Sequence, residues 1–134
     1  MTLTRDQIVA TCDRYLAAMS AGDHDAIMAC FAPDAVQEEP AGAAPNVGHD
    51  AIRAFFEKSL RTRIRSTRLG PVTVVGNRAV FQLRVDILNL DLPPLTSSDV
   101  VEFDEQGRFT SIIAFPDLEA HPGDTGPALD QEPT

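Results

Sequence analysis

A chain of 134 residues, 43% of them apolar, is long enough to bury one core and too short for two. With 20 acidic against 11 basic side chains the formal net charge is −9, a field that repels nucleic-acid phosphates and anionic lipid, so neither nucleic acid nor a membrane is expected as a partner. No apolar run approaches the roughly 20 residues that cross a bilayer, and the opening MTLTRDQIVATCDRYL lacks the charged-then-apolar order of a secretory leader. A cytoplasmic protein is expected.

The first half reads as helical. Thr4 followed three residues later by Gln7 is a capping-box signature, and Ile8, Cys12, Tyr15, Leu16 and Met19 recur at helical spacing on one face. Tyr15 therefore points inward. A break at Gly22-Asp23 precedes a short second helix carrying Ile27, Cys30 and Phe31, which stops near Pro33. VQEEP is too short and too polar for a helix and reads as an extended segment ending at Pro40. After the loop AGAAPNVGHD, residues Ile52, Phe55, Phe56 and Leu60 trace one face of a third helix, with Arg53, Glu57 and Lys58 turned outward. Cys12 and Cys30 form no metal-binding or redox motif and are expected to be packed free thiols.

The second half changes to period two. TRIRSTRLG, PVTVV, AVFQLRVDILNL, SSDVVEF and RFTSIIAF are β-rich runs, and GN, DLPPL and DEQG are turn or loop signals. The expected fold is α+β: a curved antiparallel or mixed sheet wraps three N-terminal helices and leaves a cone-shaped apolar cavity between the layers. Residues 1–116 are expected to form this single domain. The segment PDLEAHPGDTGPALDQEPT, acidic and rich in proline and glycine, is expected to make residues 117–134 a mobile tail.

Two places combine carboxylates with apolar surroundings. In SSDVVEF, alternation puts Ser97, Asp99, Val101 and Phe103 on one face, so Asp99 shares its face with apolar residues. A carboxyl buried in such company has its pKa raised and, once protonated, donates a hydrogen bond. The competing register has Val100 in the core and Asp99 in water. In VQEEP, alternation puts Gln37 and Glu39 on one face and Val36 and Glu38 on the other, so hydrophobicity alone sends Glu38 inward. Inward tyrosines such as Tyr15 are more often core residues than catalysts.

Three segments, RYLAAMSAGDHDAI, EEPAGAAPNVGHDAIRAFF and SDVVEFDEQGRF, resemble in order and spacing those of the ketosteroid isomerases, the steroid Δ-isomerase branch of the nuclear-transport-factor-like superfamily. The resemblance runs from residue 5 to residue 115. Carried over by motif position, it implies that Tyr15 is the oxyanion-hole tyrosine, Asp99 a protonated acid donating to the same oxyanion, and Glu39, directly before the proline as the family's base is, the general base. The family's base is an aspartate. The extra methylene of glutamate moves the carboxylate by roughly 1.5 Å, and a misplacement of about 1 Å can cost on the order of a hundredfold in rate. Phe31 and Phe56 stand where relatives can carry further tyrosines, and Pro116 near where some place a tryptophan. The resemblance also implies a homodimer and a cofactor-independent reaction.

Leu16, Met19, Phe31, Phe55, Phe56, Val80, Leu83, Val101, Ile112 and Phe115 are candidates for the cavity wall and equally good core residues. His24, His49 and His121 are scattered beside turns and the tail, so no metal site is expected. Arg61, Arg63 and Arg65 alternate, which fits a solvated face, a guarded sheet edge or a local binding stripe. No phosphate-binding glycine loop or nucleophile elbow is present. The expected function is a steroid Δ-isomerase working on a small apolar ketone. The alternatives are a polyketide cyclase or dehydratase acting on another carbonyl compound, and a module that binds an apolar ligand without chemistry.

Overall fold

The computed structural model describes residues 3–123. Helix α1 (Arg5–Ala21) starts at the reciprocal Thr4/Gln7 capping box and ends at Gly22, whose φ of 65° needs no Cβ to be accommodated. Helix α2 (His24–Ala29) is capped by the Asp23 carboxylate. Strand β1 (Phe31–Glu38) and the two-residue β2 (Asn46–Val47) precede α3 (His49–Ser59). Four longer strands follow: β3 (Ile64–Val75), β4 (Arg78–Ile87), β5 (Leu95–Phe103) and β6 (Phe109–Asp117).

The six strands form one open mixed sheet in the order β2-β1-β6-β5-β4-β3. The hairpins β3–β4, β4–β5 and β5–β6 are antiparallel, while β1 lies parallel to β6. The sheet curves around the three helices as an α+β cone. Its core joins the inward faces of α1 and α3 to Phe31, Phe81, Val101, Phe103, Phe109 and Ile112. Phe109, completely buried, stands edge-on to Tyr15 at 5.3 Å and to Phe31 at 5.2 Å between ring centroids.

Two elements differ from their sequence-based expectation. Phe31, expected on the second helix, opens β1: Pro33 forbids another helical turn, and the Phe109 N–H donates to the Cys30 carbonyl at 2.7 Å, which hands the chain to the sheet. TRIRSTRLG and PVTVV, expected as separate runs, form the single strand β3, which passes Gly70-Pro71 through a shift in register between Leu69 and Thr73. An edge strand tolerates proline there because the missing N–H faces no neighbour.

Beyond β6, the Thr96 N–H donates to the Ala120 carbonyl at 2.9 Å and His121 Nδ1 lies 2.8 Å from the Pro94 carbonyl, so the start of the C-terminal segment runs back along β5. The rest of the expected tail, residues 124–134, lies outside the described residues. No helix among the described residues is long and apolar enough to cross a membrane.

Candidate active site between the sheet and the helices

The open end of the cone holds a cavity of about 200 Å³ bounded by α1, α3, the end of β1 and the inner faces of β3 to β6. Tyr15, Glu39 and Asp99 all line it. The chain brings them together from three distant places, a helix and two strands that share β6 as a neighbour.

Tyr15 is positioned by the helical period of α1, whose buried face also carries Cys12, Leu16 and Met19. Phe31, Phe56 and Phe109 surround its ring edge-on at 5.8, 6.1 and 5.3 Å. Among the described residues no protein group hydrogen-bonds its hydroxyl, which is left to the cavity. Burial first, then the nearby carboxylates of Asp99 and Glu39, pushes the phenol well above its ordinary pKa, so it is a donor throughout the physiological range. Phe31 and Phe56 carry no hydroxyl, so neither of these ring neighbours extends a hydrogen-bond chain to Tyr15.

Hydrophobicity along β1 favours Glu38 as the inward residue; the structure has Glu39 on the cavity and Glu38 on the other face, its Oε2 accepting from the Gly42 N–H at 3.0 Å. Strand pairing settles this. Gln37, two residues before Glu39, is buried on the inner side opposite Ile112, and Asn46 Nδ2 on β2 donates to its Oε1 at 2.9 Å. A polar side chain with a partner of its own can occupy an apolar face, which hydrophobicity patterns cannot reveal. The Glu39–Pro40 peptide is cis.

Asp99 takes the inward register: Ser97, Asp99, Val101 and Phe103 are all buried. Asp99 is 3% exposed, with Ser97 Oγ donating to Oδ1 across a long 3.5 Å. Among the described residues no cation is paired with it. Burial, reinforced by the charge of Glu39 and only partly offset by Ser97, raises its pKa from 3.8 to about 8. Burial alone raises Glu39 from 4.5 to about 7. The two carboxyls therefore titrate as a pair, Glu39 losing its proton first and its charge then opposing ionisation of Asp99. With Glu39 near 7 and Asp99 near 8, the pair has a window between those values in which the cavity holds a carboxylate, a carboxylic acid and a phenol in an apolar setting, the components of general base and hydrogen-bond donor catalysis.

Of the wall residues expected from sequence, Met19, Phe55, Phe56 and Leu83 face the cavity. Leu16, Phe31, Val101 and Ile112 are instead sealed in the core beneath it. Phe115 faces the opposite way: the pairing of Ser97 with Pro116 and Asp99 with Ala114 directs Ile112, Ala114 and Pro116 inward and leaves Phe115 half exposed on the outer face. Val80 is exposed on that same face. Sequence reading missed Ser59, Leu60, Ile64, Val85, Leu95 and Ser97 as wall residues. The last was legible from its alternation with Asp99, whereas the others depend on how α3 meets the ends of β3, β4 and β5. Cys12 and Cys30 are buried free thiols, Cys12 pushed up to about 12 chiefly by burial, and neither lines the cavity. Among the described residues no group of three or more His, Cys, Asp or Glu side chains is arranged to hold a metal ion.

A cone closed by helices, with a carboxylate and hydrogen-bond donors facing its apolar interior, defines a class of small-molecule cavity proteins. Residues 12–117 match the model of the SnoaL-like domain, and the chain belongs to that family, within the nuclear-transport-factor-like superfamily. A steroid Δ-isomerase of Nocardioides simplex is 36% identical over 110 residues, covering 81% of this chain and 89% of that protein. The solved structure of SalBIII, an epoxide hydrolase/cyclase-like enzyme of pyran ring formation in the polyether salinomycin, superposes with a TM-score of 0.72 at 21% identity, covering 84% of this chain and 92% of that one, a likeness of fold.

Proposed function

We propose that the protein is a cofactor-independent steroid Δ-isomerase that converts a Δ5-3-ketosteroid into its conjugated Δ4 isomer. The observation that carries this reading is the convergence of Tyr15, Glu39 and Asp99 on one apolar cavity, in a chain similar over most of its length to a steroid Δ-isomerase. Glu39 removes the proton between the ketone and the double bond. The resulting dienolate places its negative charge on the ketone oxygen, which Tyr15 and neutral Asp99 stabilise with hydrogen bonds already aimed there. Glu39, now protonated, delivers the same proton to the far carbon of the conjugated system, so the atoms balance without water or cofactor. An ionised Asp99 would repel the oxyanion, which is why the raised pKa of this carboxyl supports the assignment.

The test is turnover of a Δ5-3-ketosteroid, followed as absorbance of the conjugated enone, by wild type, Glu39→Gln, Glu38→Gln and Asp99→Leu. Loss in Glu39→Gln on the order of 10³-fold with Glu38→Gln near wild type supports the base. No turnover by wild type sinks the isomerase reading. A second reading, a cyclase or dehydratase acting on another carbonyl compound, is favoured by Glu39 standing where the isomerases have aspartate and by Phe31 and Phe56 around Tyr15. Turnover of polyketide ketones with steroids inert would select it. We also assign a homodimer formed through the outer sheet face, where Val80 and Phe115 are 43% and 50% exposed; a monomer by light scattering refutes it.

A further inference from the structure

Eleven basic side chains stand against twenty acidic ones, and most of the basic ones are engaged. Arg53, Arg68, Arg78, Arg84 and Arg108 pair with Asp25, Asp13, Glu102, Asp86 and Asp104. Arg5 donates to the Val72 carbonyl and Arg14 to the Thr11 hydroxyl. The other four, Lys58, Arg61, Arg63 and Arg65, have no ion pair or side-chain hydrogen bond among the described residues, and all four are exposed within residues 58–65. Glu57, the neighbouring acid, forms no ion pair with any of the four among the described residues. Arg65 faces Asp86 across the β3–β4 ladder, and Arg84 already holds that carboxylate.

This stretch is the turn from α3 to β3, and it borders the cavity. Ser59, Leu60 and Ile64, interleaved with the basic residues, are wall residues. The Arg63 carbonyl accepts from the Leu88 N–H at 2.9 Å, which ties the turn to the start of the β4–β5 loop, and Leu95 at the end of that loop also lines the cavity. A protein of net charge −9 repels anions at long range. At ordinary ionic strength fields fade over about 8–10 Å, so a ligand at this edge responds to the local cations. Guanidinium groups match carboxylates and phosphates in a two-pronged geometry.

We propose that Arg61 and Arg63, with Lys58 beside them, recognise an anionic group at the end of an apolar ketone remote from its carbonyl: a side-chain carboxylate, or the phosphates of a carrier thioester. The inference rests on the isomerase reading for the identity of the ketone, and it makes the substrate an acidic or carrier-bound steroid.

The test is calorimetric binding of a conjugated 3-ketosteroid bearing a side-chain carboxylate, its methyl ester and its coenzyme A thioester, to wild type and to Arg61→Gln/Arg63→Gln. Arg78→Gln, whose side chain pairs with Glu102, controls for loss of a positive charge away from the cavity. Two exposed charge contacts predict that wild type binds the acid about 3- to 10-fold more tightly than the ester. That preference disappears in the double variant and in about 0.5 M salt, and persists in Arg78→Gln. A thioester bound more tightly than the acid identifies the carrier as the source of the anion; equal or weaker binding identifies the free carboxylate. Equal affinity of wild type for acid and ester, or a preference that survives the double variant, overturns the proposal. If no steroid binds, the isomerase reading fails, and the basic turn between α3 and β3 is judged with anilinonaphthalene sulfonate against uncharged N-phenylnaphthylamine. Selective loss of the sulfonate in the double variant keeps the anionic recognition, and no such loss overturns it.

Discussion

Replacing Asp99 with asparagine is expected to stabilise the fold at neutral pH while leaving a neutral but weaker hydrogen-bond donor in the cavity. In the folded protein the carboxyl holds its proton up to about pH 8 against an ordinary 3.8. Between those values the folded state binds more protons than the unfolded state, so stability is fully present below about pH 4 and is lost as pH rises towards 8. At pH 7 the unfolded chain has gained about three decades of ionisation free energy that the folded chain has not, which amounts to a penalty of about 4 kcal/mol. Asparagine has the same shape and cannot ionise, so the penalty vanishes. After an allowance for burying the amide, the variant should be more stable on the order of 2–4 kcal/mol at pH 7 and close to wild type near pH 4. The assay is urea unfolding at fixed protein concentration from pH 4.5 to 8. Asp86 and Asp104, held below their ordinary pKa, have finished titrating over that range. Glu39 keeps its own smaller slope in both proteins. Equal stability of the two proteins at pH 7, with parallel pH dependence, would refute the buried neutral carboxyl and the donor role built on it.

Other outcomes follow from the same geometry. Tyr15→Phe removes a donor that no protein group uses among the described residues, so turnover should fall on the order of 10²–10³-fold while the urea midpoint moves little. The kcat/KM profile against pH should be a narrow bell, rising as Glu39 ionises near 7 and falling as Asp99 ionises near 8; a plateau extending well above pH 9 would contradict the need for a neutral acid. Phe109→Ala empties the centre of the aromatic cluster and should cost about 3–5 kcal/mol in urea unfolding.

Periodicity and capping chemistry were enough to orient single elements. Thr4 and Gln7 mark the start of α1, the 3.6-residue repeat turns Tyr15 inward, and alternation in β5 buries Asp99 beside Val101 and Phe103. Each of these is a local property, because the geometry of one helix or strand fixes which of its side chains share a face. What the elements meet is not local. The parallel pairing of β1 with β6 carries Glu39 to the inner face over the more apolar alternative, and it does so because Asn46 satisfies Gln37 from a separate strand. Likewise, the register of β5 on β6 turns Pro116 inward and Phe115 out, and the junction of α3 with β3 sets Leu60 and Ile64 in the cavity wall beside Arg61 and Arg63. By itself, then, the sequence determined the fold class and the inward faces that carry Tyr15 and Asp99. Only the tertiary structure decided which glutamate joins them and which residues close the wall, because strand pairing depends on hydrogen bonds and packing between segments far apart in the chain.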